Sequence, residues 1–217
     1  MRVIAGRARG RVLKAPRSPA IRPTGDKLKG AIFSALEALA YKLGCDDQTD
    51  DESFAAARAW PQVLDLYAGS GALGIEALSR GAASCDFVES DAEARRTIAE
   101  NLRRTGLTER AGVHTTTVER AASTLPGSYD LILADPPYAD AGAVAALAAV
   151  AGSGLVKKST VLVWEHRHDV TPPERIGTLE LTRTRRHGVA AFSLYGGPAG
   201  IAGTQGGPDA EHAGVGE

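Results

Sequence analysis

A glycine-rich segment near the middle of the chain constrains the fold more than any other feature. The apolar run that ends at Asp65–Tyr67 is followed by Gly69, Gly71 and Gly74, which match the pattern G-x-G-x-x-G, and then by a helical stretch. Glycine is useful here because a side chain would block the approach of a ligand to the backbone. A strand, a tight glycine turn and a helix start in this order predict an α/β fold that binds a nucleotide at the helix N-terminus.

The pattern around the glycine segment predicts a doubly wound, mostly parallel Rossmann-like sheet. Strand-like apolar runs alternate with helical stretches from residue 62 onwards, as in sheets that are covered by helices on both faces. Two final strands have only His187-Gly188 between them, which predicts an antiparallel hairpin at the C-terminal edge. We predict strands at Val63–Tyr67, Ser84–Val88, Val113–Thr117, Tyr129–Ala134, Thr160–Glu165, Thr178–Arg186 and Val189–Tyr195, and helices over residues 71–80, 92–105 and 140–151.

Composition divides the chain into four segments. Residues 1–43 begin with alternating apolar and basic positions, which predict a small β-hairpin extension, and continue as a helix from Asp26 to Leu43 with Thr24 as its predicted cap. Residues 44–61 form an acidic loop, in which residues 54–59 could form a helical turn. Residues 62–196 hold the sheet, and residues 197–217 are predicted to be disordered because they have almost no large apolar side chain.

The net charge of −1 hides a basic N-terminal stretch. Residues 1–30 contain nine basic residues and one acid, Asp26, which gives this stretch a net charge of +8. A basic segment on a nearly neutral protein favours an anionic partner. A solvated surface without a function would carry the same charges, so this alternative stays open.

Composition also excludes several classes of protein. No apolar run approaches the roughly 20 residues that cross a bilayer, and the basic N-terminus lacks the apolar stretch of a secretory signal. Cys45 and Cys85 have no Cys-x-x-Cys or Cys/His spacing, so we interpret them as free thiols and predict no metal site. We expect a cytoplasmic monomer that has no membrane contact.

Two acids near the glycines distinguish between candidate cofactors. Glu89 directly follows the second predicted strand and lies 20 residues after Gly69, a spacing typical of an acid that accepts hydrogen bonds from ribose hydroxyls. Asp65 precedes the glycines, where a carboxylate would repel a pyrophosphate but could bind the ammonium group of S-adenosyl-L-methionine. Nicotinamide oxidoreductases also usually have a separate substrate domain, which does not follow here. The sequence therefore favours S-adenosyl-L-methionine as cofactor, with a nicotinamide enzyme as a rival.

A second motif, Asp135-Pro136-Pro137-Tyr138, follows the predicted strand Tyr129–Ala134. It places a carboxylate, a rigid turn and an aromatic ring at the carboxyl end of a strand, where open α/β sheets bind ligands. Asp135 and the Pro136 carbonyl can accept the two N–H groups of an exocyclic base amine and orient its lone pair towards a sulfonium methyl group. Tyr138 offers a face on which the base can stack. A turn that merely caps the strand is the alternative.

These motifs together resemble the RsmD family, which methylates guanine N2 in bacterial 16S rRNA. The resemblance covers roughly residues 1–196 and includes Arg2–Gly6, Gly10–Leu13, Arg22–Thr24, Asp65–Gly71, Glu76–Ala82, Phe87–Glu89 and Asp135–Tyr138. It implies a class I S-adenosylmethionine-dependent methyltransferase with a seven-stranded sheet and an N-terminal hairpin that helps to grip RNA. The implied partner is 16S rRNA or the assembling 30S subunit.

Three groups of site residues follow from the motifs and the resemblance. The predicted catalytic group is Asp135, Pro136, Pro137 and Tyr138; the cofactor group is Asp65, Tyr67, Gly69, Gly71, Glu89 and Glu119; and the RNA-binding group is Arg7, Arg9, Arg11, Arg22 and Thr24. Glu119 is included because such folds hold the adenine near the end of the third strand. One departure is Lys29-Gly30, where the family usually has Arg-Glu; glycine removes a carboxylate and weakens the helix.

Several further residues have weaker interpretations. Arg183, Arg185, Arg186 and His187 form a second basic cluster that could contact RNA phosphates or could only protect an edge strand. Asn101 and its neighbouring arginines are interpreted as a solvated helix face, and His114, His166 and His168 as structural.

Two rival functions share the predicted fold. A DNA adenine-N6 methyltransferase would use both motifs, but the chain has little room for a separate sequence-reading domain. A non-catalytic RNA-binding assembly factor could retain the fold without the reaction, since fold does not determine function.

Overall fold

A computed structural model describes residues 1–16, 25–45 and 54–197 of the protein. The strands are β1 Gln62–Leu66, β2 Ser84–Val88, β3 Ala111–His114, β4 Tyr129–Ala134, β5 Val156–Arg167, β6 Arg175–Ile176, β7 Leu179–His187 and β8 Ala190–Gly196. The helices are α1 Asp26–Lys42, α2 Ala55–Ala59, α3 Ala72–Ser79, α4 Ala92–Thr105, α5 Val118–Thr124 and α6 Ala143–Ala151, with a short 3₁₀ helix at Thr108–Arg110.

All eight strands belong to one sheet, in the order β3-β2-β1-β4-β5-β8-β7-β6. Strands β1 to β5 are parallel, and β8, β7 and β6 extend the sheet in antiparallel fashion. One face is covered by α1, α3 and α4, and the other by α5 and α6. The strand order reverses between β1 and β4, which is where ligands bind in sheets of this kind. The predicted doubly wound sheet with a C-terminal antiparallel hairpin is confirmed.

The element boundaries show where sequence patterns succeed and fail. β2, β4 and α4 begin and end as predicted, but the third strand ends at His114 and not at Thr117. His114 pairs with Val88, the last residue of β2, so the chain beyond it has no strand to pair with. The helix α5 and the two-residue strand β6 were not predicted, because both are too short to show a periodic pattern. β6 makes the sheet eight-stranded, where the family resemblance implies seven.

Some predicted features lie outside the described residues. These are Arg22 and Thr24, residues 46–53 of the acidic loop and the tail from residue 198. The N-cap of α1 is Gly25, one residue after the predicted cap. The helical turn at residues 54–59 is present as α2. Among the described residues, none of the helices has the length and apolarity needed to span a membrane.

Residues 1–16, called the arm below, fold back on themselves with little regular pairing. A single antiparallel bridge joins Arg2 to Val12, and the Val3 N–H donates to the Arg11 carbonyl at 2.9 Å. The predicted hairpin therefore exists as a turn and a bridge without a two-stranded ladder. The arm buries the apolar side chains Val3, Ala8 and Leu13 in the same core as α1, α3 and α4, and it exposes Arg7, Arg9 and Arg11.

A buried carboxylate attaches the arm to α3. The fully buried Glu76 accepts hydrogen bonds from the Ile4 N–H at 2.8 Å and the Ala5 N–H at 3.0 Å. Its two oxygens also lie 3.2 Å from Lys29 Nζ and 2.9 Å from Arg80 Nε. Burial lowers the pKa of the Lys29 amine, and the Glu76 charge opposes that shift. One carboxylate thus compensates two buried cations and two backbone amides.

Steric constraints do not require a glycine at position 30, where the family usually has glutamate. A Cβ at Gly30 would meet only the Cδ1 atom of Ile4, at an ordinary contact distance of 3.6 Å. The Lys29 side chain, in contrast, is completely buried and donates to the Arg2 carbonyl at 2.7 Å. The lysine at this position is therefore part of the attachment of the arm, and the glycine beside it is not required by packing.

We predict that Glu76→Ala lowers the free energy of unfolding by about 3–5 kcal/mol, because the buried Lys29 would lose its carboxylate partner and Arg80 would keep only the longer contact with Glu37, at 3.9 Å. Glu100→Ala is the matched control, since Glu100 pairs with Lys14 at the surface, where an ion pair contributes little. Urea unfolding followed by circular dichroism measures both variants. Equal losses in the two variants would contradict the role assigned to Glu76.

Candidate active site

A cavity of about 1160 Å³ lies at the carboxyl ends of the parallel strands. Its walls contain residues that follow β1, β2, β3 and β4, together with residues from the start of α1 and from the turn between β7 and β8. The cavity lies beside the reversal of strand order, the position at which α/β sheets bind ligands. Every residue of the predicted catalytic group lines it.

The turn after β1 combines an unusual backbone with close packing. Tyr67 has a φ of 56°, the only positive value among the described residues other than glycines. Gly69 and Gly71 follow with φ values of 54° and 76°, which glycine adopts readily. Gly74 is needed for another reason, because a Cβ there would lie 2.4 Å from Cε1 of Phe87 on β2. The glycines thus bring α3 against the sheet and place its N-terminus at the cavity.

Two buried carboxylates hold this turn through its backbone. Oδ2 of Asp65 accepts a hydrogen bond from the Gly74 N–H at 2.9 Å. Oε2 of Glu89 accepts from the Gly69 N–H at 2.8 Å, and its Oε1 accepts from the Asp91 N–H at 2.8 Å. Both side chains also line the cavity. Each acid therefore has a structural role in the turn, and its contact with a ligand stays a prediction.

The cavity is rich in negative charge. Burial raises the pKa of Asp65 well above its usual range, and the charges of Asp135 and Glu89 raise it further, while the Gly74 N–H opposes the shift. Only Lys27 and His187 are basic among the described residues that line the cavity. A cationic ligand would relieve the repulsion between these carboxylates, whereas a pyrophosphate would increase it. The electrostatics fit the sulfonium and ammonium groups of S-adenosylmethionine and disfavour a dinucleotide.

The Asp-Pro-Pro-Tyr motif stands at the carboxyl end of β4, beside the end of β5. Ala134, the last residue of β4, pairs with Trp164, so Asp135 and Glu165 follow at the same level of the sheet. Asp135 is half-buried, whereas Tyr138 is 40% exposed on the cavity wall. The Tyr138 hydroxyl donates to Oε1 of Glu165 at 3.4 Å. A carboxylate and a partly exposed aromatic ring therefore share one cavity.

Glu165 is a cavity residue outside the predicted site groups. It is 5% exposed and is the last residue of the fifth predicted strand, and Glu89 similarly stands directly after the second. An acid at the carboxyl end of a strand was therefore a signal present in the sequence. Its contact with Tyr138 depends on the fold, because the two residues are 27 positions apart.

Glu119 and Tyr67, both in the predicted cofactor group, line the same cavity. A hydrogen bond from the Thr117 side chain lowers the pKa of Glu119, so this carboxyl stays ionised at neutral pH. Burial raises the pKa of the Tyr67 phenol, and the charges of Asp140 and Glu119 raise it further, so the phenol keeps its proton. The assigned contacts of both residues with a cofactor stay predictions.

The arm lies beside the cavity and does not line it. Arg7, Arg9 and Arg11 are exposed, which is necessary for the RNA-binding role that the sequence analysis assigns to them. Arg9 lines a smaller cavity of about 360 Å³ together with Lys27, and Lys27 also lines the main cavity. The basic arm is therefore adjacent to the candidate active site through the start of α1.

Asn101 joins the arm to the glycine turn, and its interpretation as part of a solvated helix face was wrong. The side chain is fully buried. Its Nδ2 donates to the carbonyls of Lys14 at 3.0 Å and Ser70 at 2.9 Å, and its Oδ1 accepts from the Lys14 N–H at 2.8 Å. Asn101 lies one helical turn after Ile98, on the buried face of α4. This spacing was the sequence signal that could have predicted its burial.

Two histidines and the cysteines lie outside the cavity lining. His114 Nε2 lies 2.7 Å from Oδ1 of Asp86, and His166 Nε2 lies 2.8 Å from Oγ of Ser193. Burial lowers the pKa of His166, which keeps the ring neutral at physiological pH. Cys45 and Cys85 are free thiols, as predicted. In the part of the chain that the structure describes, no group of three or more His, Cys, Asp or Glu residues could hold a metal ion.

Proteins with closely related sequences are described as rRNA methyltransferases. The chain is 36% identical over 198 residues to "Putative rRNA methyltransferase YlbH" of Bacillus subtilis (strain 168), covering 90% of this chain and 98% of that protein. It is 28% identical over 198 residues to "Ribosomal RNA small subunit methyltransferase D" of Escherichia coli (strain K12), covering 90% and 89%. The solved structure described as "Putative methyltransferase yhhF from Escherichia coli" matches with a TM-score of 0.71 and 26% identity, covering 90% and 96%.

The fold and the cavity define a Rossmann-like methyltransferase, a class that uses S-adenosylmethionine as its methyl donor. Within this class, the family model described as "Conserved hypothetical protein 95" matches residues 1–196. The chain belongs to this family, and the resemblance to the RsmD family is confirmed.

We predict that Asn101→Ala weakens S-adenosylmethionine binding by about tenfold, because Ser70 in the glycine turn loses a buried donor and the turn is less firmly held. Thr105→Ala is the control, since Thr105 lies on the same helix and bonds only to carbonyls of α4. Isothermal titration calorimetry gives the Kd of both folded variants. If the Kd of Asn101→Ala equals that of the wild type, the amide supports the arm alone.

Proposed function

We propose that this protein transfers a methyl group from S-adenosylmethionine to the exocyclic N2 of a guanine in 16S rRNA. The observation that carries the proposal is that Asp135 and Tyr138 share one cavity with the carboxylates that fit a cationic cofactor. The names of the relatives from Bacillus subtilis and Escherichia coli support rRNA as the substrate. The choice of guanine N2 rests on the family resemblance.

The cofactor would occupy the part of the cavity beside the glycine turn. The backbone of Gly69–Gly71 and the N-terminus of α3 bind its amino-acid portion, and Asp65 beneath them favours the positive charge of the ammonium group. Glu89 accepts hydrogen bonds from the ribose hydroxyls with lone pairs that Gly69 and Asp91 leave available. When bound, S-adenosylmethionine supplies an electrophilic methyl group on a sulfonium.

The acceptor amine requires orientation, because its lone pair is delocalised into the base and it is a poor nucleophile. Asp135 accepts one N–H of the amine, and the Pro136 carbonyl accepts the other. With both hydrogens held, the nitrogen lone pair points at the methyl group, and the proline ring keeps the acceptors in place before the reaction. The new C–N bond forms as the C–S bond breaks, and the amine then releases a proton that Asp135 can accept.

The base must be exposed or flipped out to reach Asp135. Tyr138 offers a partly exposed ring on which an unstacked base can lie, and its hydrogen bond to Glu165 holds the ring at the cavity wall. An exposed or flipped nucleotide in folded RNA satisfies this requirement. The basic arm beside the cavity supplies the phosphate contacts that such a substrate needs.

The test of this function is transfer of labelled methyl from S-adenosylmethionine to four samples: unmodified 30S subunits, naked 16S rRNA, DNA and no acceptor. Digestion and mass analysis then identify the modified nucleoside. We expect label in N2-methylguanosine from the subunits or the RNA. Label in N6-methyladenine from DNA would identify a DNA adenine methyltransferase, and no label with cofactor binding intact would favour an assembly factor.

We predict that Asp135→Ala lowers kcat by at least about 10²-fold with little change in the Kd of S-adenosylmethionine, because Asp135 contacts the acceptor amine and its electrostatic effect is strongest in the transition state. Asp130→Ala is a matched control, since it removes a carboxylate from the opposite end of β4, where Asp130 pairs with Lys157. Single-turnover rates and calorimetry measure the two quantities. Full activity of Asp135→Ala would refute the role of this carboxylate.

A further inference from the structure

The hairpin of β7 and β8 carries a basic surface that the proposed reaction does not use. Arg183, Arg185 and His187 lie directly opposite Leu194, Phe192 and Ala190 of β8, respectively. Directly opposed residues of an antiparallel pair project from the same face of the sheet. The three β8 residues belong to the core shared with α1, α3 and the arm. Arg183, Arg185 and His187, called the basic face of β7 below, therefore lie on the arm side of the sheet.

Arg186 lies on the other face of the same strand. It is opposite Ala191, and its neighbour Thr184 is opposite Ser193, with which it shares a hydrogen bond of 2.8 Å between the two hydroxyls. The strand therefore separates its cations onto two faces, with one arginine on the face away from the arm. Arg186 therefore has the same charge as Arg183 and Arg185 and lies on the same strand, but it does not belong to the basic face.

The basic face is continuous with the candidate active site. His187, Gly188 and Val189 line the main cavity, and Arg185 and Arg183 follow along the strand at steps of roughly 6.7 Å. The face therefore begins at the cavity wall and extends roughly 13 Å away from it. Val189, in the same turn, is 61% exposed and adds an apolar surface to this part of the cavity wall.

The arginines of this face lack compensating charges, and their strand has an open edge. No ion pair within the described ranges includes Arg183, Arg185 or His187. Within the same ranges, β6 pairs with β7 only as far as Leu179 and Glu180, so the following part of the β7 edge has no strand partner. Uncompensated positive charge that continues from a base-binding cavity fits the phosphates of a nucleic acid better than it fits any neutral partner.

We propose that the basic face of β7 binds phosphates of the RNA strand next to the nucleotide that enters the cavity, and that it is a second RNA contact in addition to the arm. The identity of the polyanion rests on the proposed function; the position of the surface rests on the register of β7 and on the cavity. His187 contacts the nearest phosphate, and Arg185 and Arg183 contact those further along the strand.

The competing explanation is that the charges only protect an open edge strand from association with other chains. The two explanations differ in what they require of the sheet faces. Protection of the edge depends on charge along the strand, irrespective of face. RNA binding beside the cavity depends on the face that Arg183 and Arg185 share and not on that of Arg186.

The test compares Arg183→Ala/Arg185→Ala with Arg186→Ala, together with the wild type. Kd values for naked 16S rRNA and for duplex DNA are measured by filter binding between 50 and 200 mM KCl, and cofactor affinity is measured by calorimetry. We expect the double variant to bind the RNA about tenfold more weakly, with a salt slope lower by about 1.4, because each lost phosphate contact on a single strand removes about 0.7. Arg186→Ala should match the wild type in RNA affinity, and all three proteins should bind S-adenosylmethionine equally.

An unchanged salt slope in the double variant would overturn the proposal, and increased aggregation at low salt would then support protection of the edge. The proposal would also be overturned if Arg186→Ala lost as much RNA affinity per arginine as the double variant does. The effect would then not depend on the face of the sheet. The proposed function fails separately if the wild type binds DNA as tightly as RNA and methylates only the DNA. In that case the difference in Kd between the double variant and Arg186→Ala would persist on DNA.

Discussion

The whole candidate active site depends on how side chains hold the glycine turn between β1 and α3. The turn contains the strained backbone of Tyr67, and such a conformation persists only when its surroundings determine it. Asp65 lies on β1, Glu89 directly after β2 and Asn101 on α4, and each bonds to a backbone group of Gly69, Ser70 or Gly74. The turn is thus prepared for a ligand by groups that are themselves buried.

The same groups make the arm part of this construction. Asn101 bonds to Ser70 in the turn and to Lys14 in the arm, and Glu76 on α3 binds the backbone of Ile4 and Ala5. Any shift of the arm at Lys14 therefore changes the surroundings of a side chain that also supports the turn. The arm and the cofactor side of the cavity are physically connected through this buried amide and through the Ser70 hydroxyl, which donates to Sδ of Met1 at 3.7 Å. The arm nevertheless lines no part of the main cavity.

Sequence patterns predicted the parts of the site that are contiguous in the chain. The glycine turn and Asp135–Tyr138 are local motifs, and Glu89 was found because its spacing from the glycines is short and regular. The missed features depend on distant contacts: Asn101 reaches a residue 87 positions away, and Glu76 reaches one 72 positions away. The end of β3 at His114 was missed for a related reason, because it is determined by where β2 ends and not by the composition of β3.

The charges of the protein separate into two zones that suit two ligands of opposite charge. The cavity is lined by carboxylates, which favour a cationic cofactor and repel phosphates, while uncompensated arginines lie on the arm and on the basic face of β7. A polyanion would be held at the basic surfaces, and only its neutral base would enter the acidic cavity. The net charge of −1 conceals this arrangement, because attraction and repulsion at these distances depend on where the charges lie and not on their sum.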